Sequence, residues 1–277
     1  DPVEKHLPEF KGQWMVEKRE DGKLILKRPA HAITIRDLLT HTSGLANTST
    51  PRTESTLGEL VMSYSKTPLN FEPGSKWSYS NAGINTLGRI VEVVSGVPFA
   101  KLLQERVLDP CGMKDTTFWP TPAQAKRIAK SYRPDKNGEL QQVEVSFLAG
   151  GISNRKRTPY PAGGLYSTAS DVTLFYQMML NGGTLNGKRV LKKETAALMT
   201  RTQTDDIKTG FVDGMSWGLG FQVVKEPQGV TETLSAGTYG HGGAYATQSW
   251  ADPKRGIILV MMIQRAGFRN GDNSSVR

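Results

Sequence analysis

The sequence predicts a two-lobed α/β (α+β) protein, with a helical lobe over roughly residues 31–160 and a sheet-containing lobe over roughly residues 161–277. Three observations support this prediction. Apolar residues recur at helical spacing in the middle of the chain, they alternate as in strands after Trp217, and a turn separates two apolar segments near the carboxyl end. Because the 277 residues contain no repeat or low-complexity linker, we expect both lobes to form one unit.

The helices are predicted from capping signals and from apolar residues three or four positions apart. The first follows Thr34 in "TIRDLL", where Asp37 has capping-box spacing, and we expect Gly44 to end it. The others cover "GINTLGRIVEVVSG" (83–96), "VPFAKLLQERVLDP" (97–110) and "STASDVTLFYQMML" (167–180). Strands are predicted near 217–224, 244–250 and 257–264, and "ADPKRG" between the last two suits a tight antiparallel connection.

Composition argues against several classes of protein. The longest apolar run, "GIILVMMI" (256–263), is far shorter than a bilayer span, so we expect no membrane span. The net charge is +9, but the densest basic cluster, "RKR" (155–157), lacks interleaved aromatic residues, so we expect no nucleic acid partner. The single Cys111 cannot form an internal disulfide. No cofactor is expected.

The four histidines are too scattered for a metal site, because none has HExxH or related spacing. His41, in "LLTHTSGL", is most simply a cap or packing residue at a helix end. His241, in "TYGHGGAY", is a candidate site residue, since Gly242 and Gly243 would let a ligand or another backbone approach closely. A tight turn explains the same glycines equally well.

Tyr79 stands in "WSYSNAGIN", directly before a predicted helix, where a tyrosine is usually a half-buried aromatic residue. Its neighbours add a second interpretation. Tyr79-Ser80-Asn81, "TIRDLLTHTSGL", "PAGGLYSTASDV" and "HGG" followed by "TQSWADPKRG" together resemble the serine β-lactamase-like superfamily, in the branch of class C β-lactamases, D-alanyl-D-alanine peptidases and family VIII carboxylesterases. The resemblance runs through most of residues 1–277 and implies a β-lactamase/transpeptidase-like fold, with an antiparallel sheet flanked by helices plus a helical lobe.

That family uses Ser-x-x-Lys with the nucleophile, Tyr-x-Asn, and a (Lys or His)-x-Gly strand. Two Ser-x-x-Lys strings occur, at 63–66 and 153–156, but about one match is expected by chance, and neither lies well ahead of Tyr79. The opening "DPVEKHLPEFKG" resembles the segment just after the family's nucleophile helix. We therefore expect the nucleophilic serine and its lysine upstream of Asp1, in a chain that is a fragment open at both ends.

The resemblance implies acyl transfer, in which a serine hydroxyl attacks a carbonyl and water later hydrolyses the acyl-enzyme. Tyr79 would be the base, because a neighbouring lysine ammonium favours a phenolate that otherwise forms only near pH 10. Asn81 would hold the lysine and the substrate. After Gly242, the strand at Gly243 and Ala244 would lie along the substrate, and the Ala244 N–H would donate to the oxyanion.

The third motif also indicates the substrate class. Where a Lys-Thr-Gly strand offers a cation and a hydroxyl to a β-lactam carboxylate, this chain has His241, an imidazole mostly neutral at pH 7, and Gly242. Weaker carboxylate recognition favours a carboxylesterase acting on a small-molecule ester over a D-alanyl-D-alanine peptidase or β-lactamase acting on an amide.

Tyr79 and His241 should meet across the cleft between the lobes. Two other classes stay open: a binding homologue that has lost its serine, and a stand-alone interaction module. The resemblance favours a periplasmic or secreted location.

Residues 1–277 alone should not hydrolyse esters and should be only marginally stable, because the expected upstream segment would carry the nucleophile and cover apolar sheet surface. The isolated chain can be tested for p-nitrophenyl ester hydrolysis and for binding of a hydrophobic dye. Robust hydrolysis that Ser63→Ala abolishes would contradict the prediction and identify "SYSK" as the nucleophile motif.

Overall fold

A computed structural model describes residues 1–47, 55–145, 151–152 and 154–267. The chain forms two compact units. The first comprises Asp1–Leu102, Lys156–Gly164 and Asp206–Lys208, and the second comprises Leu103–Arg155, Leu165–Asp205 and Thr209–Arg277. Within the described ranges, every helix is too short or too polar to cross a bilayer.

The first unit is mainly helical. Its elements are the 3₁₀ turns Val3–Lys5 and Pro8–Phe10, the strands β1 (Met15–Glu20) and β2 (Lys23–Lys27), and the helices α1 (Ile35–Leu39), α2 (Leu57–Ser65), α3 (Asn81–Ser95) and α4 (Phe99–Leu103), whose last residue is assigned to the second unit. The two strands form an antiparallel hairpin, which the sequence analysis did not predict. Leu38 of α1, Val61 of α2 and Ile90 of α3 are buried in one core, so the apolar stripes of the helices are what joins them.

Local signals determine both ends of α3. The Ser80 hydroxyl accepts the Gly83 N–H at 3.1 Å and caps the amino end, as serine commonly does. At the other end Gly96 has a φ of +68°, the left-handed conformation that ends helices at glycine. The predicted helix over 83–96 is therefore confirmed, with its start moved to Asn81.

α1 has the predicted capping box between Thr34 and Asp37. However, the helix ends at Leu39, so the expectation that Gly44 ends it is wrong. Gly44 occupies a later turn with a φ of +75°, where a Cβ atom would lie 2.5 Å from the Phe71 carbonyl oxygen. The glycine is required there by a close approach of two backbone segments.

The second unit contains short helices and hairpins ahead of a larger sheet. Its elements are a π-helical turn (Gln104–Leu108), α5 (Asp109–Cys111), α6 (Pro122–Ala125), β3 (Ser131–Pro134), β4 (Leu140–Val143), α7 (Ala169–Leu180), β5 (Thr184–Leu185), β6 (Lys188–Arg189), α8 (Lys193–Thr200), β7 (Met215–Trp217), β8 (Gln222–Val224), a 3₁₀ turn (Gly229–Thr231), β9 (Tyr239–Gly242), β10 (Gln248–Asp252) and β11 (Ile257–Met261). The pairs β3–β4 and β5–β6 are antiparallel hairpins that the sequence analysis did not predict.

The main sheet has the strand order β11-β10-β9-β8-β7, and every neighbouring pair is antiparallel. Helix α7 packs on it. The Tyr176 hydroxyl of this helix donates to the Ser249 carbonyl at 3.0 Å, and its ring stacks on Tyr239 at a centroid distance of 6.1 Å. The predicted fold class, helices combined with an antiparallel sheet, is thus confirmed.

The predicted single strand over 217–224 is wrong. The segment is a hairpin, in which Trp217 of β7 pairs with Gln222 of β8 and the Gly218 N–H donates to the Phe221 carbonyl at 2.8 Å. Gly220 has a φ of +84° in the turn. Alternating apolar residues are compatible with either a continuous strand or a tight hairpin. Gly218 and Gly220 are the sequence signal that favours the hairpin.

The strand predicted over 244–250 begins at Gln248, and the strand that the resemblance implies at His241 is a separate one, β9. The strand predicted over 257–264 corresponds to β11. The hairpin predicted at "ADPKRG" is confirmed, since Asp252 pairs with Ile257 and the Gly256 N–H donates to the Asp252 carbonyl at 2.9 Å.

Two glycines of α3 should respond oppositely to alanine. A Cβ atom on Gly88 would overlap the Pro161 ring, whereas one on Gly83 would have no neighbour nearer than 3.5 Å. Gly88→Ala should therefore lower the free energy of unfolding by about 1–3 kcal/mol through overpacking. Gly83→Ala should raise it by up to about 1 kcal/mol through helix propensity. Denaturant-induced unfolding measures both, and a stabilised Gly88→Ala variant would contradict the described contact.

Candidate functional site

The Tyr-x-Asn motif lies where an extended segment enters helix α3. Tyr79 precedes the helix and is half-buried, Ser80 is buried at the cap, and Asn81 is exposed as the first helical residue. An amide at this position can reach solvent or a ligand, because nothing in the first turn covers it. The motif therefore occupies a rigid helix start rather than a loose loop.

Ser80 holds the motif to the segment that follows α1. Its N–H donates to His41 Nδ1 at 3.0 Å, and its hydroxyl donates to the Leu45 carbonyl at 3.0 Å. The same hydroxyl accepts the Gly83 N–H, so one side chain both caps the helix and ties the helix to a neighbouring segment. The sequence analysis noted this serine only as a neighbour of Tyr79.

His41 is the packing partner of Tyr79. It is 2% exposed, and its ring centroid lies 4.5 Å from that of Tyr79 at an interplanar angle of 39°. Because Nδ1 accepts the Ser80 N–H, this nitrogen carries no proton, and the bond selects the neutral tautomer with hydrogen on Nε2. The sequence indicated a cap or packing residue, and the structure shows which residues it packs against.

Asn47 is a second residue that the sequence analysis missed. Its side-chain amide donates to the Tyr79 carbonyl at 3.0 Å, and its side-chain carbonyl accepts the Ala82 N–H at 3.1 Å. The amide thus bridges the residue before the cap and the first turn of α3. Only a contact map could have revealed this role, because nothing local marks "SGLAN" as a partner of "YSNA".

Two other tyrosines are poorly suited to act as a base. Tyr64 accepts a hydrogen bond from Asn85 at 3.2 Å, and burial raises the pKa of its phenol although that bond partly opposes the shift. Tyr239 lies in the apolar core of the second unit, where burial raises the pKa of its phenol strongly. A phenolate is disfavoured at both positions, whereas Tyr79 is only half-buried.

His241 is the third residue of β9, where it pairs with Ser249 of β10. It is half-buried, its Nδ1 lies 2.6 Å from the Gly242 carbonyl oxygen, and its ring meets Trp217 edge-on at 5.5 Å. The preceding Gly240 is required by packing, because a Cβ atom there would lie 2.7 Å from the Trp250 ring. The glycine directly before His241 is therefore explained by packing.

Gly243 and Ala244 do not continue strand β9. The expectation that they form a strand along a substrate is therefore wrong about their secondary structure. β9 ends at Gly242, and a turn follows in which the Gly243 N–H donates to the Thr247 carbonyl at 2.8 Å. Ala244 is exposed, and within the described part of the chain its N–H has no hydrogen-bond partner. Of the two amides, only that of Ala244 can donate to a ligand without breaking the turn.

Of the serines that begin the two Ser-x-x-Lys strings, the structure describes Ser63. Ser63 lies in α2, and its hydroxyl donates to the Leu60 carbonyl of the same helix at 2.6 Å. Ser153 lies outside the described residues. Tyr79 and His241 belong to different compact units, and their meeting stays a prediction.

Over the ranges that the structure describes, no group of three or more histidine, cysteine, aspartate or glutamate side chains is placed to hold a metal ion.

Two known proteins that are similar to this chain are both longer than it. The chain is 34% identical to an uncharacterized protein of Mycobacterium tuberculosis over 95% of this chain and 70% of that protein. It is 28% identical to a putative D-alanyl-D-alanine carboxypeptidase of Escherichia coli K12, over 74% of this chain and 49% of that protein. The chain therefore spans about half of the Escherichia coli relative.

The structure is also similar to that of EstCE1, described as a hydrolase with promiscuous acyltransferase activity. The TM-score is 0.75 at 25% sequence identity, over 96% of this chain and 73% of that one. This similarity shows the β-lactamase/transpeptidase-like fold that the sequence motifs implied. The family model for β-lactamases matches residues 1–275, and the chain belongs to the β-lactamase family of hydrolases.

Proposed function

We propose that the whole protein is a serine hydrolase that forms an acyl-enzyme and acts on small carboxylic esters. The observation that carries the proposal is the fixed presentation of Tyr79, whose backbone and ring are both held at the start of α3. A general base must be held within hydrogen-bond reach of the proton it removes.

In this proposal Tyr79 accepts the proton of the attacking serine hydroxyl. A lysine ammonium beside the phenol would favour the phenolate form, and the exposed Asn81 amide would orient that lysine and the substrate. The nucleophile comes from the protein ahead of Asp1. In support, the Ser63 hydroxyl already donates to a carbonyl of its own helix, and the relatives named above are longer than this chain.

The proposed reaction also needs a hydrogen-bond donor to the developing oxyanion. We assign the Ala244 N–H to this role, because it is exposed and has no partner among the described residues. The Gly243 N–H is excluded as a donor, since the turn uses it. Removal of one positioned oxyanion donor costs roughly 10²–10³-fold in rate in a hydrolase where it was measured on a side-chain amide.

The preference for esters rests on what surrounds His241. The imidazole Nδ1 lies against its own strand carbonyl and the ring lies against an indole edge, while Gly242 offers no hydroxyl. Unlike the lysine of a Lys-Thr-Gly strand, an imidazole is not a permanent cation, so this motif itself offers a weaker anchor to a substrate carboxylate. A D-alanyl-D-alanine peptidase is the second candidate, because a relative carries that name.

Tyr79→Phe in the whole protein should reduce ester hydrolysis by roughly 10²–10⁴-fold, because it removes the proton acceptor and keeps the ring. Steady-state kinetics with a p-nitrophenyl ester measure the effect. Tyr132→Phe, at an exposed position of β3, is the matched control and should keep wild-type rates. Wild-type turnover by Tyr79→Phe would reject the base role. Inactivity of the wild-type protein toward both esters and peptides would favour a binding homologue.

His241→Lys should raise turnover of a chromogenic cephalosporin relative to a p-nitrophenyl ester, because a fixed cation can anchor a carboxylate. The ratio of the two kcat/KM values, measured near pH 7, is the readout. Gln142→Lys adds the same charge at an exposed position of β4 and should leave the ratio unchanged. A wild-type protein that already prefers the cephalosporin, with a ratio that lysine does not alter, would overturn the ester preference.

A further inference from the structure

We propose that His41 is a positioning residue for Tyr79, which acts by holding the peptide group between Tyr79 and Ser80. The inference rests on the proposed function, since it assumes that Tyr79 is the base. His41 itself would not touch the substrate. It would set where the phenol lies.

The peptide group between Tyr79 and Ser80 is held at both of its polar atoms. Its carbonyl oxygen accepts the Asn47 side-chain amide at 3.0 Å, and its N–H donates to His41 Nδ1 at 3.0 Å. Both partners are side chains from the segment that follows α1. Because a peptide group is planar, two anchors on opposite edges remove its freedom to rotate and thereby fix the backbone that carries Tyr79.

The imidazole also limits the Tyr79 side chain. The two ring centroids lie 4.5 Å apart, and Trp77 meets the imidazole edge-on at 6.1 Å. A ring packed against one side of the phenol removes rotamers on that side. His41 thus contacts both the backbone and the ring of Tyr79, and we expect the backbone hydrogen bond to contribute most to the position of the hydroxyl.

His41 is itself rigidly held in a conformation that histidine adopts rarely. Its φ is +59°, its N–H donates to the Leu38 carbonyl at 3.4 Å, and its carbonyl accepts the Ser78 N–H at 2.9 Å. A left-handed conformation in a residue other than glycine persists where the surroundings over-determine it, and such residues cluster at functional sites. The Ser78 bond adds a third tie between His41 and the extended segment that leads into Tyr79.

Two substitutions separate the hydrogen bond from the ring. His41→Asn keeps an acceptor on the atom that replaces Nδ1 and tolerates positive φ, whereas His41→Phe keeps a ring and removes the acceptor. The whole protein is assayed with a p-nitrophenyl ester for kcat and KM, and thermal unfolding is recorded for each variant. His41→Phe should lower kcat by roughly tenfold to a hundredfold with little change in KM, as expected when a base is misplaced by a fraction of an ångström. His41→Asn should stay within about threefold of wild type.

Combination with Tyr79→Phe distinguishes the possible failures. If His41 acts through the phenol, His41→Phe should have less than about a twofold effect on kcat in the Tyr79→Phe background. An equal effect in both backgrounds, or wild-type kcat for His41→Phe alone, would overturn the positioning role and leave the base role intact. Wild-type kcat for Tyr79→Phe would instead overturn the base role.

If His41→Phe does not fold, His41→Asn decides the question. A folded His41→Asn protein with kcat reduced tenfold or more would contradict the hydrogen-bond mechanism. Near-wild-type kcat would support it.

Discussion

The peptide group between Tyr79 and Ser80 is the constraint on which the geometry of the Tyr-x-Asn motif depends. Its two polar atoms bond to Asn47 and His41, and the side chain that follows it caps α3. A peptide plane without hydrogen-bond partners could rotate at little cost. Here rotation would break the two hydrogen bonds and leave the N–H and the carbonyl without partners, which costs free energy. The start of α3, the direction of the Tyr79 side chain and the exposure of Asn81 therefore all depend on one short stretch of backbone.

In the second unit, the segment around His241 is held by different means. In strand β9, Gly240 is required because a Cβ atom there would overlap the Trp250 ring. The turn after this strand uses the Gly243 N–H and leaves that of Ala244 available. Packing also explains the motif glycine Gly243 in part, because a Cβ atom there would overlap the Thr247 hydroxyl.

Local signals made α1 and the end of α3 predictable, since the Thr34 capping box and the Gly96 terminator act within a few residues. The start of α3 was predicted at Gly83 and lies at Asn81, after the Ser80 cap. Strands were harder, because alternating apolar residues do not distinguish a continuous strand from the hairpin at Gly220. The motif residues could be chosen from the sequence. The residues that hold them could not, because the bond from Ser80 to His41 joins positions 39 residues apart.

The proposed mechanism requires a serine ahead of Asp1 that attacks the substrate with Tyr79 as its base. Labelling of the whole wild-type protein with a fluorophosphonate, followed by peptide mass spectrometry, tests it most directly. The account predicts one adduct per chain, on a serine of a Ser-x-x-Lys segment upstream of residue 1, with labelling that slows when Tyr79 is phenylalanine. An adduct on Ser63, or the same labelling rate in both proteins, would contradict it.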